Sequence, residues 1–362
     1  MKLRPTKHFT PKYGWMNDPN GLILYKGRYH VFYQHNPHGL TWDRMHWGHA
    51  VTDDLVNFEH LPIALFPDEM GDIFSGCCFY DEENASGLGT AENPPLLSFY
   101  TSHNPDTAKE QQCVAVSFDG IYFQKYPANP IIKGKNKTPA RDPQVFKNPK
   151  TGGYSLCLTT EKEVEFYESG NLLSWEKTGA FRLPPYAFQG MIECPNLFSI
   201  KPENEEGEKQ VLMISMDIPE SEFYKFPKEA KPHSRIMQYF VGTFDGKTFV
   251  EENPVNRPLL VDYGPDFYAG SIFAGCDETI MMAWLGNSGE SMKIPTEEEG
   301  FCGILSFPRK LSLVKIGEEY HLKHRFAFLE EDCRKIEDGC VKETISPDGI
   351  IAYTEYRNIG KE

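Results

Sequence analysis

Apolar and polar positions alternate over short stretches along nearly all of this chain. Almost nowhere do apolar residues recur at helical spacing over eleven residues or more. GLILYKGRYHVFYQHNP reads as two strands turning at Lys26-Gly27, and FSGCCFY, PPLLSFYTS, QQCVAVSFDG, YSLCLTT, KQVLMISMDI and ETIMMAWLG read as further short strands. Long polar loops separate them, notably 81–94, 201–209, 218–235 and 286–300, the last rich in Gly and charge. These read as solvated loops, the last also as a pocket rim. The pattern predicts an all-β fold.

Two repeated phrases give that fold a period. In the first, an acidic residue, usually beside proline, precedes an apolar run: WMNDPNGL at Asp18, PARDPQVF at Asp142, MIECPNLF at Glu193, with echoes in GDIFSG at Asp72 and GPDFYAG at Asp266. In the second, a polar turn leads to an aromatic residue, at Phe58, Phe123, Trp175 and Phe249. Both recur at roughly 62 residues, a spacing that suggests radial or stacked units, each delivering one carboxylate to a common place. The count predicts a five-bladed β-propeller over residues 1–317. Residues 318–362, which lack both phrases, are expected to form a short C-terminal extension.

Charge and cysteine content narrow the partners. A formal net charge of −15 disfavours nucleic acid and anionic membrane and suits a small neutral ligand. No stretch approaches the length of a membrane-spanning helix, and no leader-like apolar segment opens the chain. Nine scattered cysteines, with no CxxC spacing, read as thiols of a reducing compartment, so a cytoplasmic location is expected. His46 and His49 have no third ligand at metal spacing, so no metal is expected, and neither GxGxxG nor GxxxxGK(S/T) occurs, so no nucleotide cofactor is expected. Monomer and homodimer both stay open.

The acids carry the candidate chemistry. Pro19 biases Asp18 toward extended backbone, and Asn17 and Asn20 flank it with amides. A fixed, ionised carboxylate suits a nucleophile, though NDPNG would also make a good Asx turn. Arg141 gives Asp142 a planar fork that can hold a carboxylate or a sugar hydroxyl. Met191, Ile192, Cys194 and Pro195 surround Glu193 in sequence, a setting that disfavours the charged form and suits a proton donor. Trp15, Gln34, Trp42, Trp47, Phe74, Ser75, Tyr268 and Trp284 add rings on which sugars stack and polar groups that read hydroxyls, with Trp47 better read as core. Asp72 and Asp266 read as rim or hydroxyl-binding residues.

WMNDPNGLILYKGRYHVFYQHNP, MHWGHAVTDDLVNFEHLPIAL, FSGC, RDPQVF, ECPNLF and DFYA together resemble glycoside hydrolase family 32, the family of invertases, sucrose-6-phosphate hydrolases, levanases and inulinases, over residues 5–316. The resemblance implies a five-bladed propeller that cleaves β-fructofuranosides with retention and without metal or organic cofactor. It implies Asp18 as nucleophile, Glu193 as general acid/base and Asp142 as transition-state stabiliser with Arg141 beside it. Gln34, Trp42, Phe74 and Ser75 are then pocket residues, and Asn17, Tyr268 and Trp284 join them as candidates for binding substrate. The expected substrate is sucrose or a short fructooligosaccharide, with fructosyl transfer and sucrose-6-phosphate hydrolysis as alternatives and an inactive sugar-binding propeller a further one. For a phosphate, Arg44, Lys125 and Lys133 are the candidate cations. The family's full C-terminal β-sandwich is expected to be missing, or present only as a vestigial or truncated remnant over residues 318–362, and Ser271 stands where a glutamine is often found.

Overall fold

The computed structural model describes residues 2–286, 288, 291–330 and 332–357. Residues 287, 289 and 290 of the expected pocket rim, and 331 and 358–362 of the expected extension, lie outside them. The described residues are almost all strand and turn, with three 3₁₀ segments of six residues or fewer.

The strands form six sheets. The first contains β1 (Gly14–Tyr25), β2 (Arg28–Asn36), β3 (His46–Thr52) and β4 (Glu59–His60). The second contains β5 (Asp72–Tyr80), β6 (Leu96–Asn104), β7 (Lys109–Ser117) and β8 (Gln124–Lys125). The third contains β9 (Ala140–Lys147), β10 (Tyr154–Thr160), β11 (Glu163–Ser169) and β12 (Glu176–Arg182). The fourth contains β13 (Met191–Ile200), β14 (Lys209–Asp217), β15 (Arg235–Phe244) and β16 (Phe249–Glu251). The fifth contains β17 (Tyr268–Ile272) and β18 (Ile280–Leu285). The chain then runs out to β19 (Phe301–Cys302), which pairs in parallel with β1 of the first sheet, and to β20 (Ile304–Leu305), which pairs with β18. It returns to complete the fifth sheet with β21 (Arg309–Ile316) and β22 (Glu319–Phe326). The sixth holds β23 (Lys335–Asp338), β24 (Val341–Ile345) and β25 (Ala352–Tyr356).

The expected count of five is therefore corrected: the propeller arrangement has six blades, not five. Residues assigned to a short extension form the three-stranded sixth, and β22 pairs along its whole length with β21. The period missed the sixth sheet because its three short strands carry neither repeated phrase. A buried polar network anchors it. Arg309, fully buried, donates to Asp262, Glu343 and Thr354. His8 lies between Asp338 and Glu343 at 3.0 and 2.9 Å.

Apolar runs continuous enough to be buried on both faces are what stacked sheets require. In β14, Val211 and Met213 pack toward the fifth sheet with Phe267 and Met281, while Leu212 and Ile214 pack toward the third with Phe166 and Phe181. Met16, Val31 and Tyr33 meet Phe273, Ile280 and Met282 where the fifth sheet meets the first.

Both repeated phrases have a structural basis. The second is an Asx turn between the third and fourth strands of a sheet. The side-chain oxygens of Asp54, Asp119, Asn171 and Asp245 each accept two backbone N–H groups, at 2.7–3.1 Å. The Lys26-Gly27 hairpin forms as expected, with both residues at positive φ (49° and 80°), as a tight two-residue turn demands.

Candidate active site

The first phrase marks a β-bulge on the innermost strand. In each of five sheets, two residues of the first strand face one residue of the second. Asn17-Asp18 face Gln34, Phe74-Ser75 face Thr101, and Asp142-Pro143 face Leu158; Cys194-Pro195 face Ile214, and Ala269-Gly270 face Ala283. A bulge breaks the strict alternation of a strand and re-aims side chains, here toward the axis. Asp142, Cys194 and Ala269 pay for it with φ of 63°, 47° and 52°, conformations costly to residues other than glycine and held by the surrounding sheet. Gly76 follows the second bulge because a Cβ there would sit 2.0 Å from the Phe99 carbonyl oxygen.

The bulges open onto a cavity of about 580 Å³. The three candidate catalytic acids line it, Asp18, Asp142 and Glu193, with the candidate binding residues Asn17, Gln34, Trp42, Phe74, Ser75, Arg141, Tyr268 and Trp284. Trp15, Tyr268 and Trp284 build an aromatic wall backed by Met45, while Trp42 stands half exposed at 51% with its ring edge against Phe74.

Hydrogen bonds fix each acid. Asp18 Oδ2 accepts from Ser75 Oγ at 2.8 Å. The Asn20 amide, turned so that its nitrogen faces Ser75 Oγ at 3.2 Å, accepts through its oxygen from Gln34 Nε2 at 3.0 Å, so a chain of polar groups stands behind Asp18. Trp15 Nε1 donates to Asn17 Oδ1 at 2.8 Å. Asp142 Oδ2 accepts from the Cys194 amide at 2.9 Å, and the Asp142 amide donates to Thr101 Oγ1 at 3.0 Å. The Cys194 thiol lies 3.6 Å from Asp18 Oδ2 and 3.5 Å from Asp142 Oδ2, a single weak donor between the two acids. Glu193 accepts from Arg141 Nη1 at 3.1 Å and from the Tyr268 hydroxyl at 2.7 Å. The apolar sequence neighbours of Glu193 are thus not its spatial partners, because the bulge that follows turns it toward the axis.

Crowding shifts the ionisation of these groups. Burial and then the charge of Glu193 raise Asp18, against the hydrogen bonds from Ser75, Asn17 and Cys194. Burial, followed by the charge of Glu193, pushes Asp142 up to about 7, with Arg141 opposing. Burial and the neighbouring carboxylates hold Cys194 and Tyr268 far above their ordinary values, so both stay protonated as donors. Carboxylates packed this closely lose protons as a coupled set.

Residues 8–324 match the model of the glycosyl hydrolases family 32 N-terminal domain. The chain belongs to glycosyl hydrolase family 32. The levanase of Bacillus subtilis is 39% identical over 316 residues, covering 86% of this chain and 45% of the levanase. The invertase of Schizosaccharomyces pombe is 33% identical, over 86% of this chain and 53% of its own. The chain spans about half the length of these curated relatives. Among solved structures, the exo-inulinase of Aspergillus awamori matches with a TM-score of 0.79 at 30% identity, over 90% of this chain and 67% of that one. The β-fructofuranosidase of Schwanniomyces occidentalis, complexed with fructosyl-erythritol, matches with a TM-score of 0.80 at 29% identity, over 93% and 65%.

Sequence reasoning on this family 32 chain also named residues that the fold places elsewhere. Asp72 lies 3.5 Å from Arg44, outside the cavity lining. Asp266 is buried, accepting from the Ser288 and Tyr356 amides, and so tethers the rim loop to the sixth sheet. Lys125 pairs with Asp68, and none of Arg44, Lys125 and Lys133 lines the cavity. Trp47 is core, His49 contacts His30 at 3.1 Å, and His46 contacts the Arg44 carbonyl at 2.7 Å. The same reasoning missed Asp217, Ser234 and Arg235 in the lining, and Glu110, Gln112 and Thr101 behind it. The available signal was Glu110 and Gln112, two residues apart on one face of a strand and buried although charged or polar.

Proposed function

We propose that the chain hydrolyses terminal β-D-fructofuranosyl residues of sucrose or short fructooligosaccharides, with retention, through a covalent fructosyl-enzyme. The observation that carries this reading is the convergence of Asp18, Asp142 and Glu193 from three blades on one cavity, two of them sharing the Cys194 thiol. Asp18 attacks C2 of the fructosyl unit while Glu193 gives its proton to the departing glycosidic oxygen. That breaks the C2–O bond and forms an ester to Asp18. Water then attacks C2, Glu193 takes its proton, and the ester bond to Asp18 breaks. Two inversions at one carbon give net retention. Asp142, anchored by two backbone contacts, faces the sugar as positive charge develops on it. The names of the matched proteins (levanase, invertase, exo-inulinase, β-fructofuranosidase) support fructosides as the substrate class. The nine free cysteines support a reducing, cytoplasmic setting.

One observation favours a phosphorylated leaving group as a second reading: Arg235 lines the cavity, facing Asp217 in the β14–β15 register. Comparing kcat/KM on sucrose, sucrose 6-phosphate, kestose and inulin tests both readings. Fructose release from sucrose or kestose is expected. A tenfold or greater preference for the 6-phosphate selects the second reading, and release from none of the four overturns both. Appearance of fructosylated products in place of free fructose would identify a transferase.

A further inference from the structure

Two side chains on β7 brace the site from behind without lining the cavity. Strand alternation puts Glu110 and Gln112 on one face of β7. Glu110 is 2% exposed. Its Oε2 accepts from Arg141 Nε at 3.0 Å and from the Ala140 amide at 2.9 Å, and its Oε1 lies 2.7 Å from Arg141 Nη2. His103, its cross-strand partner on β6, reaches Oε1 through Nδ1 at 3.3 Å and lies flat on Phe74, centroids 4.3 Å apart. Two of the three guanidinium nitrogens of Arg141 are therefore committed to Glu110, and Nη1 is left to donate to Glu193. Gln112 performs the matching task for Asp142. Its Oε1 accepts from Thr101 Oγ1 at 2.7 Å, and Thr101 Oγ1 in turn accepts from the Asp142 amide.

We propose that Glu110 is a positioning residue for proton transfer by Glu193, acting through Arg141. The inference rests on the function proposed above. An arginine set loose among three carboxylates would close into a two-pronged pair with one of them. Such a pair with Glu193 would hold it ionised and unable to donate a proton. Glu110 prevents this in two ways: it occupies two prongs of the fork, and its charge offsets that of the guanidinium. The groups facing Glu193 are Arg141 and Tyr268, with the Cys194 thiol, Asp18 and Asp142 across the cavity; those facing Glu110 are Arg141, His103 and the Ala140 amide.

The test is Glu110→Gln in the full chain, which keeps the shape and removes the charge. Two substrates are compared: sucrose, whose leaving group needs a proton, and fructosyl fluoride, whose leaving group does not. The expected result is an approximately 10- to 100-fold fall in kcat on sucrose and less than about threefold on the fluoride. The alkaline limb of the sucrose profile should move toward lower pH. Equal losses on both substrates, or an unmoved limb, would overturn the proposal. Should that variant not fold, Glu110→Asp keeps the charge but shortens the reach. It should lower kcat on sucrose more than on the fluoride, and an equal effect on both would also overturn the proposal. A parent protein that cleaves neither substrate would instead sink the functional reading.

Discussion

Ser75 Oγ donates to Asp18 Oδ2 at 2.8 Å, a bond between the bulges of two neighbouring blades. It is one of three side-chain hydrogen bonds that favour ionised Asp18 against burial and the charge of Glu193. Hydrogen bonds to charged groups are worth about 1.5–3 kcal/mol, so Ser75→Ala should cost about 10- to 100-fold in kcat/KM on sucrose. Asp18 should then ionise less readily, so the acidic limb moves to higher pH. An acidic limb that stays in place would show that Ser75 does not tune Asp18.

Asp18→Asn should abolish turnover while leaving the fold intact. The amide keeps the shape and can still accept from Ser75, but it cannot form the ester. Fructose release and the thermal midpoint, measured on the same preparation, check this. Near-normal turnover would remove Asp18 from the nucleophile role.

Glu193→Gln should separate two effects. Loss of the proton donor should eliminate the alkaline limb and most of the rate on sucrose, while fructosyl fluoride should still be opened to the ester. Because the charge of Glu193 raises both Asp18 and Asp142, its removal should move the acidic limb on the fluoride to lower pH. A limb moving the other way would contradict the arrangement of the three acids.

The sixth sheet predicts a pH-dependent stability. Burial opposes the charged form of His8, but hydrogen bonds to Asp338 and Glu343 outweigh it and raise His8 above its ordinary 6.5. Burial opposes ionisation of Glu343 too, yet Arg309 and His8 hold it at about 2; Asp338 is likewise depressed. The His8 contribution is complete below pH 6.5 and lost as pH rises through its folded value. The carboxylate contributions are present above their ordinary values, 3.8 for Asp338 and 4.5 for Glu343, and lost as pH falls through their folded ones. The network is therefore strongest between about pH 5 and 6.5. His8→Ala should cost about 3–5 kcal/mol there, and less above neutrality. Thermal midpoints across pH 5–9 check this, and a constant gap between parent and variant would count against it.

The acids of the site were legible because a bulge needs an unusual local phrase. Asp-Pro, Cys-Pro and Phe-Ser-Gly mark residues forced out of strand alternation, and those are the residues aimed at the axis. Glu193 directly precedes its bulge and is turned with it, whereas Asp72 and Asp266 echo the phrase two and three residues ahead of theirs and point into packing and tethering contacts instead. Glu110, Gln112 and Thr101 sit on regular strands, and their importance arises from neighbours 28, 30 and 41 residues away. No local pattern encodes that distance. The sixth blade was missed for a related reason: what holds it is His8, Asp262 and Arg309, none of which belongs to a repeat.

The parallel pairing of Gly14 with Phe301 and of Trp15 with Cys302 has a consequence for assembly. Trp15 is two residues from Asn17, whose side chain it holds. The earliest-synthesised strand of the site thus receives its last neighbour nearly three hundred residues later. Contacts of such long sequence separation form slowly. A nascent or clipped chain ending before residue 301 lacks the partner that seats Trp15, however well its own sheets have formed. The seating of Trp15 thus waits until the chain has come back round to its first sheet.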